Sequence, residues 1–600
     1  MESASSQLKF ADPRNIPDET SSCQDDSSSV KKYRADMRKC LLCGLGVFLA
    51  LCLTVVVIIC IIYFLGPKPG VVKTSIGTIH GQIVQSPQGI EVEQYLGIPF
   101  AEKPLGNLRY ADPVPLKELP NGQYNATSFR YSCMQFLDHT FGNFTGSSMW
   151  NAPNPLSEDC LYLNIWVPKH RDRNRKLSVM VWIYGGGFFS GSNALWVYDG
   201  KSLAAYGEVI VASLNYRVGT FGYLSTGDGR IKGNFGMKDQ ALALTWIKSH
   251  IESFGGDPDS ITIFGESSGA SSAGLHMMSD HSKDLFKRAI FESGSPDSHW
   301  SFMTRQQAKQ RSANFFRNVN CLQTDTDELL DCLRSLTSDM ILNNEWVDNR
   351  FMVFPWAPTV DGDFLKDTPH NLMYQGKFAN KDTLLGVNRD EGTYWILYAL
   401  PGLYKDRPSL QNYTMFRRGV DTILWNLPDN TREAVKTMYT PDDINDLAAF
   451  RDSLDKVTGD RSFTCPTEEL TRVFAEYGLN THFYYLTYRA STEVWHPWMG
   501  VIHGAEIQWA FGMPLNESRG YTKEEVEFSK TVMSYWTNFA KTGDPNGEGL
   551  PVWVEYTKES PRYIEFKGVP DEFYIRDELR ERYCAFWTEI NNQTYRNPTP

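Results

Sequence analysis

The 600-residue chain has no surplus of positive charge: 59 Lys and Arg stand against 71 Asp and Glu, for a formal net charge of −12. That balance excludes the basic footprint of a nucleic-acid partner and favours cationic ligands. Internal repeats are absent, and so is any second-domain linker, so one large body is expected rather than a string of modules. A content of 42% hydrophobic and 13% aromatic residues is enough to fill a sizeable core.

Formal charge is missing altogether from Leu41 to Leu65. A run of about twenty-five such positions, at roughly 1.5 Å each, is long enough to cross a bilayer's hydrocarbon layer as one helix. A cleavable secretion signal would have a shorter apolar run ending in small residues, whereas here a polar tail comes first, so 41–65 is read as a signal anchor. Lys31, Lys32, Arg34, Arg38 and Lys39 precede it and only Lys68 and Lys73 follow closely. The positive-inside rule then puts residues 1–40 in the cytoplasm and the body outside, a single-pass type II arrangement at the cell membrane. No glycosylation sequon precedes the span; those at Asn125, Asn143, Asn412, Asn516 and Asn592 all follow it. Cys23, Cys40, Cys43, Cys52 and Cys60 lie in the tail or span. Cys133, Cys160, Cys321, Cys332, Cys465 and Cys584 remain as an even set suited to disulfides in an oxidising compartment, with every pairing open on sequence grounds.

Residues 1–40 are rich in Ser, Asp and Lys without periodicity and are expected to be disordered. A Pro/Gly linker is read over 66–75, the body over 76–592 and a short tail over 593–600. An extended segment at Thr78–Val84 opens the body. Leu177–Tyr184, Val209–Leu214, Ile261–Phe264 and Thr383–Val387 predict buried strands, and Asp239–Phe254 and Thr522–Thr542 predict amphipathic helices. Strands alternating with helices imply the α/β class, a largely parallel central sheet flanked by helices.

Gly265-Glu266-Ser267-Ser268-Gly269 follows the β-branched run Ile261-Thr262-Ile263 and precedes the small residues Ala270 to Ala273. Strand, tight turn and helix start are what a nucleophile elbow needs to lift a serine hydroxyl clear of a sheet. Tyr184-Gly185-Gly186-Gly187-Phe188 ends an earlier predicted strand. Such glycines expose N–H groups to a developing oxyanion, with Gly186, Gly187 and Ser268 as the donors. The chain order serine, acid, histidine then points to Asp390 or Glu391, after the strand Leu384–Val387, and to His503 in the turn-prone Gly500–Gly504 segment. An isolated histidine among 11 would more often be structural, so His503 is chosen by the constellation.

Glu158-Asp159-Cys160-Leu161-Tyr162-Leu163-Asn164, Phe254 through Gly269, Asn388 through Gly392 and Trp498 through Gly504 carry a more specific message. With these segments the chain resembles the cholinesterases, within the type-B carboxylesterases of the α/β-hydrolase class, over nearly all of residues 75–590. The resemblance implies Glu391 rather than Asp390 as the triad acid, and disulfides Cys133–Cys160, Cys321–Cys332 and Cys465–Cys584. It implies Trp150 as a choline-binding ring, completed by Glu266 and Tyr394; Trp300, Met352, Phe354 and Trp395 as acyl-pocket walls; and Asp138, Trp346 and Tyr398 around a gorge entrance. Met352 replaces a bulky aromatic, Phe136 and Phe189 stand where tyrosines are usual, and Ala505 follows His-Gly where an aromatic is common. The family usually attaches through its C-terminus, so an N-terminal anchor is a further departure.

The expected activity is hydrolysis of acetylcholine or related acylcholines through an acyl-enzyme at Ser267, with no cofactor or metal. A general carboxylesterase would keep the triad without preferring a cationic leaving group. A cholinesterase-like adhesion protein would bind a partner instead, a reading weakened by the full triad. A helix expected over Arg576–Asn591 offers a homodimer surface.

Overall fold

The computed structural model describes residues 32, 37, 39, 43–57, 70–172, 174–568 and 573–596. The chain divides into two compact units, Met1–Lys68 and Pro69–Pro600. In the first, residues 43–57 are helical and their apolar side chains, Leu45 to Val57, are exposed. Among the described residues no helix is long and apolar enough to cross a membrane. The rest of the expected 41–65 span and most of the 1–40 tail lie outside the described residues.

In the second unit an 11-stranded sheet forms the centre. In chain order its strands are β1 (Gln82–Gln85), β2 (Glu91–Pro99), β3 (Tyr162–Pro168), β4 (Leu177–Ile183), β5 (Ile210–Leu214), β6 (Gly256–Glu266), β7 (Arg288–Glu292), β8 (Asp382–Asn388), β9 (Thr481–Leu486), β10 (Arg562–Phe566) and β11 (Phe573–Asp577). They lie side by side in chain order except that β4 and β5 exchange places. Neighbours from β5 through β4 and on to β10 run parallel, while β1–β2, β2–β3, β3–β5 and β10–β11 pair antiparallel. The α/β expectation therefore holds for the middle of the sheet, where Val179–Ile183 and Ile261–Phe264 are fully buried. Near-continuous apolar runs there follow from cover on both faces, with helices Phe235–His250, Ser268–Met278 and Lys523–Thr542 packed on β6.

Register delivers the chemistry to one edge. Gly265 pairs with Ile183, Glu266 with Glu292, and Glu292 with Gly386, so the carboxyl ends of β4, β6, β7 and β8 finish side by side. Loops leaving those ends are neighbours without further folding, the usual place for a site in such sheets.

Several boundaries differ from expectation for identifiable reasons. The helix read over Asp239–Phe254 starts at Phe235, because Asn234 turns the chain at φ 58° and locks onto Thr359 through two hydrogen bonds of 2.7 and 2.8 Å. It ends at His250, and Ile251–Phe254 continues as a 3-10 turn. Thr522 caps rather than joins the helix Lys523–Thr542, in a capping box with Glu525. Val71–Thr74, inside the stretch read as linker, pairs with Gly77–His80. The helix expected over Arg576–Asn591 needs correction: Arg576 and Asp577 belong to β11, whose pairing with β10 satisfies their backbone, and the helix runs Glu581–Arg596.

The helix after β6 is fastened at its far end by His276, fully buried, with Nδ1 2.8 Å from Ser282 Oγ and Nε2 2.8 Å from Gln240 Oε1. Burial pushes its pKa down to about 3. Below pH ~6.5 the unfolded chain takes up a proton that the folded state refuses until about pH 3, so folding stability falls with falling pH across that window. Relative to His276→Gln, the wild type should lose roughly 2 kcal/mol of stability between pH 7 and pH 5, at about 1.4 kcal/mol per unit, in denaturant titrations. A constant difference between the two proteins would refute the assignment.

Candidate active site

Ser267 sits at φ 58°, ψ −121°, between β6 and the helix Ser268–Met278, and its N–H donates to the Glu292 carbonyl at 2.8 Å. A non-glycine residue held in that region is strained, and surrounding contacts must impose it. The contacts come from the flanking glycines: a Cβ on Gly265 would lie 2.4 Å from the Ile183 carbonyl oxygen, and one on Gly269 2.0 Å from it. The strand β4 thus presses into the elbow, and the chain leaving β4 is the Gly185–Gly187 loop. Phe188 N–H donates to Ser268 Oγ at 3.3 Å, tying that loop to the elbow. Among the described residues the N–H groups of Gly186 and Gly187 donate no hydrogen bond. Ser268 N–H, in the first helical turn, has no intrahelical acceptor. All three are free to meet an oxyanion.

His503 Nδ1 lies 2.6 Å from Glu391 Oε2, and the other carboxylate oxygen accepts from Ser293 Oγ and Asn388 N–H, each at 2.6 Å. The neighbouring Asp390 turns elsewhere, accepting from Val501 N–H at 2.7 Å, Arg389 Nε at 2.7 Å and Lys456 Nζ at 3.0 Å. Burial alone would raise the Asp390 pKa, but Lys456 and Arg389 beside it, with the Val501 N–H, hold it below its ordinary value. Of the two candidate acids, Glu391 meets the imidazole and Asp390 anchors the loop that carries it.

His503 Nε2 is 3.0 Å from Glu266 Oε1, yet the pair is misaligned and neither atom has a hydrogen-bond partner among the described residues. Burial, then the Glu391 and Glu292 carboxylates, raise the Glu266 pKa well above the ordinary value, so it holds a proton more tightly than an exposed carboxyl. Burial pushes Glu292 up to about 8 and raises Glu506 well above its ordinary value. Asn388 Nδ2 donates to Glu506. The imidazole is therefore backed by carboxyl groups that resist ionisation.

Ser267 and His503 open onto a cavity of about 340 Å3. Gly186 and Gly187 form part of its wall, with Trp150, Glu266 and Tyr394 grouped near His503. Phe354 and Trp395 line it as well, their rings 5.8 Å apart, with the Trp395 ring 5.6 Å from the His503 imidazole. Asp138, Trp346 and Tyr398 also line it, with Tyr398 OH donating to Asp138 Oδ2 at 2.6 Å and 3.1 Å from Tyr394 OH. Two expected wall residues do not reach the cavity. Trp300 packs behind Phe354 at 6.0 Å and donates Nε1 to the Ser462 carbonyl at 2.9 Å. Met352, at φ 51°, is held back by Ser462 Oγ donating to its sulfur at 3.4 Å. Phe189 lines the cavity, whereas Phe136 on its rim is half exposed. Ala505 borders a second cavity of about 110 Å3 behind Trp150.

The structure contains disulfides Cys133–Cys160, Cys321–Cys332 and Cys465–Cys584, and the first closes the loop bearing Trp150. Asn125, Asn143 and Asn412 are exposed, while Asn516 and Asn592 are half-buried. No group of His, Cys, Asp and Glu able to hold a metal is found among the described residues. Sequence reasoning missed Ser293, Glu506 and Phe463, whose ring lies 4.2 Å from His503. Glu506, three positions after His503, was a legible oddity, a carboxyl within an apolar run; Phe463 gave no signal at all.

The profile of the carboxylesterase family matches residues 68–587. The chain is 40% identical over 526 residues to the acetylcholinesterase of Bungarus fasciatus, covering 86% of each chain. It is 42% identical over 525 residues to the cholinesterase of Mus musculus, again covering 86% of each.

If Glu391 orients the base, Glu391→Gln should slow labelling of Ser267 by an uncharged fluorophosphonate roughly 10³–10⁴-fold while the protein stays folded. Asp390→Asn should cost about 1–3 kcal/mol of stability and slow labelling less than about tenfold. Equal effects of the two changes on labelling would overturn the division of roles.

Proposed function

Because this chain belongs to the carboxylesterase family, whose members here include two cholinesterases, we propose that it is a serine hydrolase of choline esters. The observation that carries the reading is Trp150, a half-buried indole in the wall of the cavity that also holds Ser267 and His503. A quaternary ammonium donates no conventional hydrogen bond, so it is best held against aromatic faces, a contact worth about 0.5–2 kcal/mol. Tyr394 adds a second ring, and Glu266 lies beside it as a carboxyl slow to ionise. The acidic body favours arrival of such cations.

In the proposed reaction His503, oriented by Glu391, takes the hydroxyl proton as Ser267 Oγ attacks the ester carbonyl. The N–H groups of Gly186, Gly187 and Ser268 meet the oxyanion, each such donor contributing roughly 3 kcal/mol. The intermediate collapses, choline leaves with the proton from His503, and a water deprotonated by His503 cleaves the acyl-enzyme to carboxylic acid and free Ser267. Phe354 and Trp395 bound the acyl side, and Met352, held outside the cavity by the Ser462 hydroxyl, leaves that wall to these two rings. We further propose that 41–65 anchors the protein in the cell membrane with the catalytic body outside, supported by the charge asymmetry, the sequons and the disulfides.

The test is kcat/KM of the full chain for acetylthiocholine, butyrylthiocholine and phenyl acetate, with Ser267→Ala as control. A preference for the cationic esters is expected, abolished in the control. Trp150→Ala should lower the cationic values by up to about thirtyfold and leave phenyl acetate within about twofold. Equal use of neutral and cationic esters would leave only a general carboxylesterase.

A further inference from the structure

Between the helices Leu447–Gly459 and Cys465–Glu476 the chain makes a single π-helical turn, Asp460–Thr464. Such turns are rare, gather at functional sites and persist only where neighbours hold them. Here the side chains divide between two destinations. Inward, Phe463 is fully buried with its ring 4.2 Å from the His503 imidazole and Trp395 stacked on it at 5.9 Å. Outward, Asp460 receives Arg580 Nε and Nη2, both at 2.5 Å, and the Tyr439 hydroxyl at 2.7 Å. The residue that closes the turn, Cys465, is bonded to Cys584. Arg580 and Cys584 flank the start of the last helix, Glu581–Arg596.

The imidazole needs this support. Among the described residues its hydrogen bond is from Nδ1 to Glu391, which fixes one edge of the ring and not its tilt about that axis; Nε2 stands 3.0 Å from Glu266 Oε1, and the Phe463 and Trp395 rings, at 4.2 and 5.6 Å, are the aromatic groups that confine it. A small tilt would align that contact and engage Nε2 with Glu266. The Phe463 ring, inclined 41° to the imidazole at 4.2 Å, blocks that tilt by its bulk without adding a competing polar group. The same helical segment steadies the acid, because Asp455 accepts the Gly392 N–H at 2.8 Å next to Glu391.

We infer that the π turn Asp460–Thr464 is a positioning device for His503, with Phe463 as its positioning residue and with Arg580 and the Cys465–Cys584 bond locking it from the C-terminal helix. The activity readout rests on the esterase reading above; the geometry rests only on the His503–Glu391 pair.

The experiment compares full-length Phe463→Leu, Phe463→Tyr and the double variant Cys465→Ser/Cys584→Ser with wild type. Three quantities are read: kcat and KM for phenyl acetate, the labelling rate of Ser267, and the low-field proton resonance of the His503 Nδ1–H. Phe463→Leu should lose kcat and labelling about tenfold or more with KM within about twofold, and its low-field resonance should broaden away. Phe463→Tyr, which keeps the ring, should stay within about threefold and keep the resonance. The double variant should lose about threefold in kcat while still folded at the assay temperature. If Phe463→Leu fails to fold, Phe463→Met, of closer volume, replaces it. A leucine variant with unchanged kcat and resonance, or one changed only in KM, overturns the proposal, as does a tyrosine variant no better than leucine. Should the wild type hydrolyse no ester, the resonance alone decides: its loss in the leucine variant upholds the positioning role while the esterase reading falls, and its persistence overturns both.

Discussion

The close approach of two backbones governs this site. The carbonyl of Ile183, last residue of β4, fills the space that a side chain on Gly265 or Gly269 would need. That contact forces Ser267 into its strained φ, sets the glycine loop beside it, and fixes the distance between nucleophile and oxyanion donors in one step. Replacing either glycine would push the strand and the elbow apart together. Because β6, β7 and β8 follow in register, the same contact also decides where Ser293 and Glu391 emerge.

Behind that edge lies a layer of carboxyl groups, Glu266, Glu292 and Glu506, which burial keeps reluctant to ionise. A set of fully charged carboxylates at this spacing would repel one another and Glu391. Their reluctance to ionise relieves that repulsion, while Glu391 is met by three hydrogen-bonding groups, His503, Ser293 and the Asn388 N–H. Acid assignment at this site follows from differences in solvation and hydrogen bonding rather than from residue type.

Much of this was legible in the sequence because it is local. The elbow, the glycine loop and the β-branched strands each declare themselves within a few residues, and the resemblance at Asn388–Gly392 separated Glu391 from Asp390. What the sequence concealed depends on tertiary choices. Met352 and Trp300 were expected to form walls, but hydrogen bonds to Ser462 hold both out of the cavity lining. Ser462 acts there through a π turn that has no sequence signature, and Phe463 was invisible for the same reason. Arg576 and Asp577 were taken into a helix because their pairing partner, β10, lies across a loop and not in their own periodicity.

The Cys133–Cys160 bridge has a consequence of another kind. It closes the loop that carries Trp150, whereas Ser267 and Glu391 follow strand ends, and His503 a turn, outside that loop. The Trp150 wall of the cavity and the strand ends below it are thereby constrained separately. Cys465–Cys584 ties the turn beside His503 to the last helix in the same manner, so a molecule folded without its disulfides would loosen the cavity wall at Trp150 and the support of the base together.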